Sequence, residues 1–145
     1  MSVLVVGSTA LDSIKTPKTE RMRLLGGSAS HASVAASFFA PVHLVGIVGD
    51  DFPVRYLQLY RRHGIDLEAL QKVRGKTFHW AGEYEVNMNN RQTLTTELGV
   101  FETFNPNLPH AYREAPFVLL ANIAPALQHH VLDQVVRPKF VVADT

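Results

Sequence analysis

Residues 24–39 read LLGGSASHASVAASFF, a pair of glycines followed by a run of small residues that one histidine interrupts. The first serines after Gly27 can cap a helix, and Pro41 stops it. Val34 and Phe38 share one face at i,i+4 spacing, whereas the alanines and serines keep the helix slim. We therefore predict a helix that ends near residue 39 and whose backbone can approach a sheet or a ligand closely.

Buried strands and further helices alternate around this segment. Four continuous apolar runs are typical of central parallel strands, at 3–6, 42–48, 117–121 and 140–143. Helices are predicted between them, one capped by the turn Gly49-Asp50-Asp51 and ended at Gly64, the other starting at Pro125. This alternation predicts an α/β fold in which a parallel sheet carries helices on both faces.

The middle of the chain follows a different period. From Thr77 to Met88 apolar and polar residues alternate, which predicts a strand with one apolar and one wet face. Asn89-Asn90-Arg91 can form a tight turn before a returning strand, so we predict an antiparallel hairpin at about 77–98, inserted as a lid. Trp80 lies on its apolar face, where it either packs onto the body or stacks on a ligand. The polar stretch 12–22 (DSIKTPKTERM) is predicted to be a loop or a pair of irregular edge segments.

Composition excludes several classes of function. The net charge is +1 and no Lys/Arg stripe is interleaved with aromatic residues, so we expect no nucleic-acid partner. The apolar runs are too short to cross a bilayer, and no basic segment precedes an apolar stretch at the N-terminus. His129 and His130 point about 100° apart on a helix and no metal-binding spacing occurs, so we expect no metal site. With no cysteines, the chain is expected to be cytoplasmic.

Four short motifs follow one another along the chain. They are Gly7-Ser8-Thr9-Ala10-Leu11-Asp12 after the first strand, Gly26-Gly27 before the small-residue helix, and Gly46-Ile47-Val48-Gly49-Asp50-Asp51, with Gly64-Ile65-Asp66 further on. Together they resemble the N-terminal half of the ribokinase (PfkB-type) carbohydrate kinase family. The resemblance covers essentially the whole chain. It implies that residues 1–145 are the N-terminal part of a single ribokinase-like domain that closes its sugar site with a small β lid.

The resemblance also implies substrate-binding residues. Asp12 matches the aspartate that accepts hydrogen bonds from sugar hydroxyls, and Gly26 and Gly27 match the glycines that let the backbone approach the sugar. The helix after them is expected to offer free N–H groups to the ligand. His31 stands where the family has a sugar-contacting Asn, and Asn122 follows a predicted strand at its ligand-binding end.

Each of these residues has an alternative interpretation. Asp12 could cap a turn, His31 could be a core histidine, and Asn122 could be a helix N-cap. Two further departures, Ser28 in place of the family's Lys and Ala10 in place of its Asn, argue against ribose itself as the substrate.

The family's Gly-Ala-Gly-Asp motif, which supplies the catalytic base and anion hole, does not occur in the sequence. We therefore expect the C-terminal nucleotide-binding and catalytic half to be absent, with no catalytic residue in this chain. ATP and Mg2+ are expected to serve the full-length enzyme and not to bind this chain alone. The predicted function is the substrate-binding half of an ATP-dependent carbohydrate kinase that phosphorylates a hydroxyl of a sugar or nucleoside-like molecule. The alternative is a non-catalytic sugar- or nucleoside-binding or regulatory module. A homodimer is expected through the lid or an exposed sheet edge.

Overall fold

The computed structural model describes residues 1–144 and contains two sheets. In chain order, the elements are β1 (Val3–Val6), β2 (Ala10–Lys15), β3 (Glu20–Gly26), α1 (Ser28–Ser37), β4 (Val42–Gly49), α2 (Val54–Arg62), β5 (Ile65–Asp66), β6 (Leu70–Val73), β7 (Phe78–Tyr84), β8 (Arg91–Glu97), β9 (Phe117–Leu120), α3 (Pro125–Leu132) and β10 (Phe140–Ala143). Among these residues no helix has the length and apolar character needed to cross a membrane.

The parallel sheet has the strand order β10-β9-β1-β4-β5, and β6 pairs with a later part of β4. Its central strands are apolar on both faces because helices cover both. Val131 of α3 packs in the core on one face, and Ala29 of α1 and Tyr60 of α2 pack on the other. The predicted α/β fold with a parallel sheet flanked by helices is therefore confirmed.

Helix α1 is slim where the sequence predicted it. Ala29, Ser30 and Ser33 are buried, and the Ser30 hydroxyl bonds the Tyr60 hydroxyl of α2 at 2.7 Å. The small side chains thus let α1 lie close to the sheet and to its neighbouring helix. The helix ends at Ser37, two residues before the predicted end.

Helix α2 begins differently from its prediction. The cap position is Pro53, with no side-chain cap, and the helix starts at Val54. The expected cap by Asp50 or Asp51 is wrong because the Asp51 carboxylate bonds Thr77, far along the chain, instead of the helix amides.

The lid is a separate four-stranded sheet with the order β3-β2-β7-β8. Its β7–β8 hairpin matches the one predicted at 77–98, but β2 pairs with β7 in parallel, so the lid is mixed and larger than predicted. The stretch 12–22 contributes two strands: β3 lies at the edge with a register shift, and β2 is central. The loop alternative is therefore wrong, whereas the alternative of two irregular edge segments is right for β3 and wrong for β2, which pairs on both sides.

Strand β10 lies at one end of the parallel sheet and pairs only with β9 within the described residues. All four of its residues are exposed, although the run Phe-Val-Val-Ala is apolar. Phe140 retains 62% of its accessible surface. This strand therefore presents an uncovered apolar edge.

Candidate ligand-binding site

A cavity of about 390 Å3 opens between the lid sheet and the first turn of α1. The parallel register of β2 and β7 sets Asp12 beside Trp80 on one lid face. Two kinds of side chain line the cavity. The polar ones are Asp12, His31 and Arg91, and the apolar or aromatic ones are Ile14, Phe78, Trp80 and Tyr84. A larger depression of about 720 Å3 at the lid tip includes none of the predicted site residues.

Asp12 is held at the centre of the lid. It lies between Leu24 of β3 and Trp80 of β7, and its side chain is partly buried. A Cβ atom on Gly26 would overlap its carboxyl group, so this glycine makes room for the carboxylate. Burial raises the pKa of Asp12 above its usual 3.8, while positive charge on His31 and His79 acts in the opposite direction. Asp12 is thus a partly desolvated hydrogen-bond acceptor facing the cavity.

Gly27 connects the lid to α1. Its φ is +93°, and a Cβ atom there would overlap the Ser8 carbonyl group, so no other residue fits without strain. The next two amides are already bonded: Ser28 N–H donates to the Ser8 hydroxyl and Ala29 N–H to the Ser8 carbonyl, both at 3.0 Å. The expectation that this helix end offers free N–H groups to a ligand is therefore wrong for these two. Ser8, in the loop after β1, accepts both of these hydrogen bonds.

His31 lies in the first turn of α1 and lines the cavity with an exposed side chain. Its backbone N–H donates to the Gly27 carbonyl at 3.3 Å, which closes that turn. The alternative of a buried core histidine is thus not what the structure shows. Contact between His31 and a substrate remains a prediction.

Asn122 is exposed after β9 and is not among the residues that line the cavity. Its carbonyl accepts a hydrogen bond of 3.4 Å from the Ser28 hydroxyl. It is not the N-cap of α3 either, because that position is Ala124. The structure therefore brings Asp12, Gly26, Gly27 and His31 together and leaves Asn122 beside this group, where its ligand role stays a prediction.

Trp80 packs inside the lid and also borders the cavity. A Cβ on Gly82 would overlap its indole ring, so the ring lies along the strand. The Arg91 guanidinium lies over the ring, 5.4 Å from its centroid, and the indole N–H donates to the Thr93 hydroxyl at 3.3 Å. The aromatic side chain is therefore held on its strand and capped by a cation.

Among the cavity residues that sequence reasoning missed are Tyr84 and Arg91. They form the pair of β7 and β8 residues next to the lid turn. Arg91 was assigned to the turn itself, whereas the turn is bonded around Asn87, whose side chain accepts from the Asn89 and Asn90 amides. An Asx turn starting at Asn87 was the signal that would have placed Arg91 in the strand.

Comparisons with known proteins agree with this architecture. No protein-family model matches the chain. A cytidine kinase from Thermococcus kodakarensis is 26% identical over 136 residues, which are 92% of this chain and 48% of that protein.

Two solved structures share the fold. The nucleoside kinase of Methanocaldococcus jannaschii, an archaeal member of the ribokinase family, superimposes with a TM-score of 0.73 at 18% identity, over 99% of this chain and 52% of that one. Arabidopsis thaliana ribokinase complexed with ribose and ATP gives 0.77 at 20% identity, over 99% and 53%. The chain spans about half the length of the relatives it matches. The resemblance to the ribokinase family is thus confirmed, and the fold is ribokinase-like.

Proposed function

We propose that this chain is the acceptor-binding part of an ATP-dependent kinase of the ribokinase type. The complete reaction would transfer the γ-phosphoryl group of ATP to a hydroxyl of a sugar or nucleoside. One observation carries the proposal: Asp12, backed by Gly26, faces a cavity between the lid and α1. The cytidine kinase and nucleoside kinase among the similar proteins support the same class of acceptor.

The chemistry of the cavity suits a polyhydroxylated ring. A carboxylate has two oxygens and only accepts, so Asp12 can bind two neighbouring hydroxyls of a vicinal diol at once. His31 lines the same cavity and can both donate and accept, which would fix the orientation of the ring. Hydrogen bonds to a charged acceptor in a partly desolvated site are stronger than neutral ones.

The cavity also has an apolar and aromatic lining. Phe78, Trp80 and Tyr84 follow one face of β7, and Ile14 lies beside them on β2. A sugar presents C–H groups on its ring faces, and a nucleoside adds a planar base, so either would complement this surface. Ligand sites commonly combine such an apolar lining with a few placed polar groups.

The described residues do not fit the triphosphate of ATP. The first amides of α1 are bonded to Ser8, and the sequence has neither a Gly-Ala-Gly-Asp motif nor a Gly-rich phosphate loop with a lysine. Phosphoryl transfer depends on positioning and on neutralising the charge of the transferred group. We therefore propose that the residues binding ATP and Mg2+, and the catalytic base, lie outside residues 1–145. The cytoplasmic location remains a prediction.

The test is direct binding and phosphotransfer on the 145-residue chain. Cytidine, inosine and ribose are titrated by calorimetry, and the same panel is incubated with Mg-ATP and assayed for ADP. Binding without turnover, weakened at least about tenfold by Asp12→Asn, is expected. Turnover would overturn the proposed division of roles, and no binding of a wider sugar and nucleoside panel would overturn the acceptor site.

A non-catalytic sugar- or nucleoside-binding module would give the same binding result. The reading frame beyond Thr145 distinguishes the two, because only the kinase needs a Gly-Ala-Gly-Asp motif in the same polypeptide or in a partner.

A further inference from the structure

One carboxylate, that of Asp51, joins the body of the protein to the lid at two points. Asp51 follows β4 in the connection to α2. Its Oδ1 accepts from the Thr77 amide at 2.8 Å and from the Thr77 hydroxyl at 2.7 Å. Its Oδ2 accepts from the Arg23 guanidinium at 3.2 Å. Thr77 immediately precedes β7, and Arg23 belongs to β3, so the two arms reach different lid strands.

The Thr77 arm is buried and tightly packed. Thr77 retains 2% of its accessible surface, and its hydroxyl also accepts from the Gly49 amide at 3.0 Å. The Asp50 amide donates to the Gly75 carbonyl at 3.0 Å. The segment that enters β7 is therefore fixed against the end of β4 by the Gly49 and Asp50 amides as well as by the Asp51 carboxylate.

The Arg23 arm holds an unusual backbone. Arg23 has a φ of +55°, a left-handed conformation that an arginine rarely adopts, at the irregularity of β3. Its guanidinium also donates to the Asp51 carbonyl at 2.9 Å, and its own carbonyl accepts from the Tyr56 hydroxyl of α2 at 2.8 Å. Contacts from Asp51 and from Tyr56 therefore hold this bulge of β3 in place. A strained backbone conformation persists only where the surrounding contacts stabilise it.

Both strands bear on the acceptor site: β7 lines it, and β3 supports it through Gly26. Thr77 lies three residues before Trp80, and Arg23 lies three residues before Gly26, against which the Asp12 carboxyl packs. We propose that Asp51 is a positioning residue for the acceptor site: it sets the angle of the lid on the body, so that Asp12 and Trp80 face α1 across the cavity. The acceptor itself rests on the proposed function above, whereas the hold on the lid does not.

A purely structural role for Asp51 predicts something different. If the carboxylate only stabilised the fold, its loss would loosen both sheets together. A positioning role predicts loosening confined to the lid, because β1 and β9 make none of these contacts and β4 makes only one, from the Gly49 amide at its end. The two roles therefore separate by where the protein opens, and amide hydrogen exchange measures this region by region.

Asp51→Ala and Asp50→Ala form a matched pair on the 145-residue chain. Asp50 is adjacent and exposed, and its carboxylate makes no hydrogen bond to the described residues. Exchange in β3, β7 and β8 is expected to rise at least about tenfold in Asp51→Ala, with β1, β4 and β9 within about twofold of the parent. Asp50→Ala is expected to match the parent everywhere. Equal exchange in the two variants, or an equal rise in both sheets, would overturn the proposal.

Thr77 gives a second test that does not remove a charge. Thr77→Val deletes the hydroxyl arm with little change of shape, and Thr77→Ser keeps it. We expect faster exchange in β7 for Thr77→Val and restoration of the parent rate by Thr77→Ser. Failure of the serine variant to restore it would count against the hydroxyl arm.

Calorimetric titration with cytidine tests whether the hydrogen bonds from the lid to Asp51 also affect ligand binding. Its Kd is expected to rise about tenfold in Asp51→Ala and to stay within about twofold in Asp50→Ala. An unchanged Kd in Asp51→Ala with a loosened lid would overturn the positioning role. Absence of binding by the parent chain would count against the proposed function, and the exchange data would still decide whether Asp51 holds the lid.

Discussion

The carboxyl group of Asp12 occupies the space that a Cβ atom on Gly26 would need, across the β2–β3 pair. The two residues lie on adjacent strands. Because Gly26 has no side chain, the carboxyl group of Asp12 has room to occupy this position. Gly26 therefore contributes to the site although it has no functional group.

Gly26→Ala should displace the Asp12 carboxylate and weaken acceptor binding at least about tenfold, since a carboxylate moved by 1 Å no longer meets both hydroxyls. Calorimetric titration with cytidine and ribose measures this. Gly64→Ala is the matched control: it costs about 1 kcal/mol of stability because φ at Gly64 is +65°, but it meets no neighbouring atom. If both variants bound equally well, the packing of Asp12 on Gly26 would be irrelevant to binding.

Asp12 should be unfavourable for stability and favourable for binding. Burial raises its pKa, with positive charge on His31 and His79 opposing, so the folded state takes up a proton more readily than the unfolded chain. Stability from this group therefore falls as the pH rises from below 3.8 through the raised folded pKa. Asp12→Asn should raise the Tm at pH 7, lose this advantage at pH 3, and bind more weakly at both. A lower Tm at pH 7 would contradict the assignment of burial as the cause.

The contribution of Asp51 to stability should change with pH in the opposite direction to that of Asp12. Burial alone would raise its pKa, but the hydrogen bonds from Thr77 and the Arg23 guanidinium outweigh it and hold the pKa of Asp51 below its usual 3.8. Its contribution is fully present above pH 3.8 and is lost as the pH falls through the lower folded value. Urea unfolding should show a stability difference of about 1–2 kcal/mol between the parent and Asp51→Asn at pH 6, shrinking by pH 2.5. Asp50→Asn, at an exposed carboxylate, should leave the free energy of unfolding at pH 6 within about 0.5 kcal/mol of the parent. A pH-independent difference for Asp51→Asn would refute the prediction.

Trp80 is the single tryptophan of the chain, so intrinsic fluorescence reports the lid directly. Arg91→Ala uncovers one face of the indole and should raise the acrylamide quenching constant about twofold, with a red shift in emission. Arg55→Ala removes a comparable arginine from the Tyr56 ring and should leave the emission unchanged. Identical quenching in both variants would mean that Arg91 does not cover Trp80 in solution.

Self-association should depend on β10. Its residues are exposed on both sheet faces, and an uncovered apolar edge invites pairing. Val142→Lys should shift sedimentation velocity profiles toward monomer at concentrations where the parent associates. Val86→Lys, at the exposed lid tip, separates the two predicted interfaces: dissociation by this variant alone would place the homodimer at the lid.

Strands β1, β4, β9 and β10 could be predicted because they are continuous apolar runs bounded by turn residues, which is typical of parallel strands. The short strands β5 and β6 of the same sheet were not predicted. The β7–β8 hairpin was equally accessible, since period-2 alternation is local. Strands β2 and β3 were predicted only as irregular edge segments, the alternative to a loop, because polar residues such as Ser13 and Lys15 are typical of loops. Ser13 is nevertheless buried and bonded to His79.

The site was predictable only in part. Asp12, Gly26, Gly27 and His31 lie close together because the chain passes from the lid to α1 at Gly26 and Gly27. Asp12 packs on Gly26 from the adjacent strand, and His31 lies in the first turn of α1. Asp51 looked like a helix cap, because nothing local indicates a bond to a residue 26 positions later. Arg91 was assigned to the turn because the predicted turn extended one residue into β8. Long-range hydrogen bonds and register are decided by packing, which a single sequence does not display.

The parallel pairing of β2 with β7 has a consequence for the order in which the molecule is assembled. Ser13 and His79 are bonded across 66 positions of sequence, and β4, α2 and the connecting segments lie between them. During synthesis the β2–β3 ribbon emerges long before the strand that completes its sheet, and closing so long a loop is slow. The lid is therefore expected to be a late structure, finished only once the body has brought its two halves within reach.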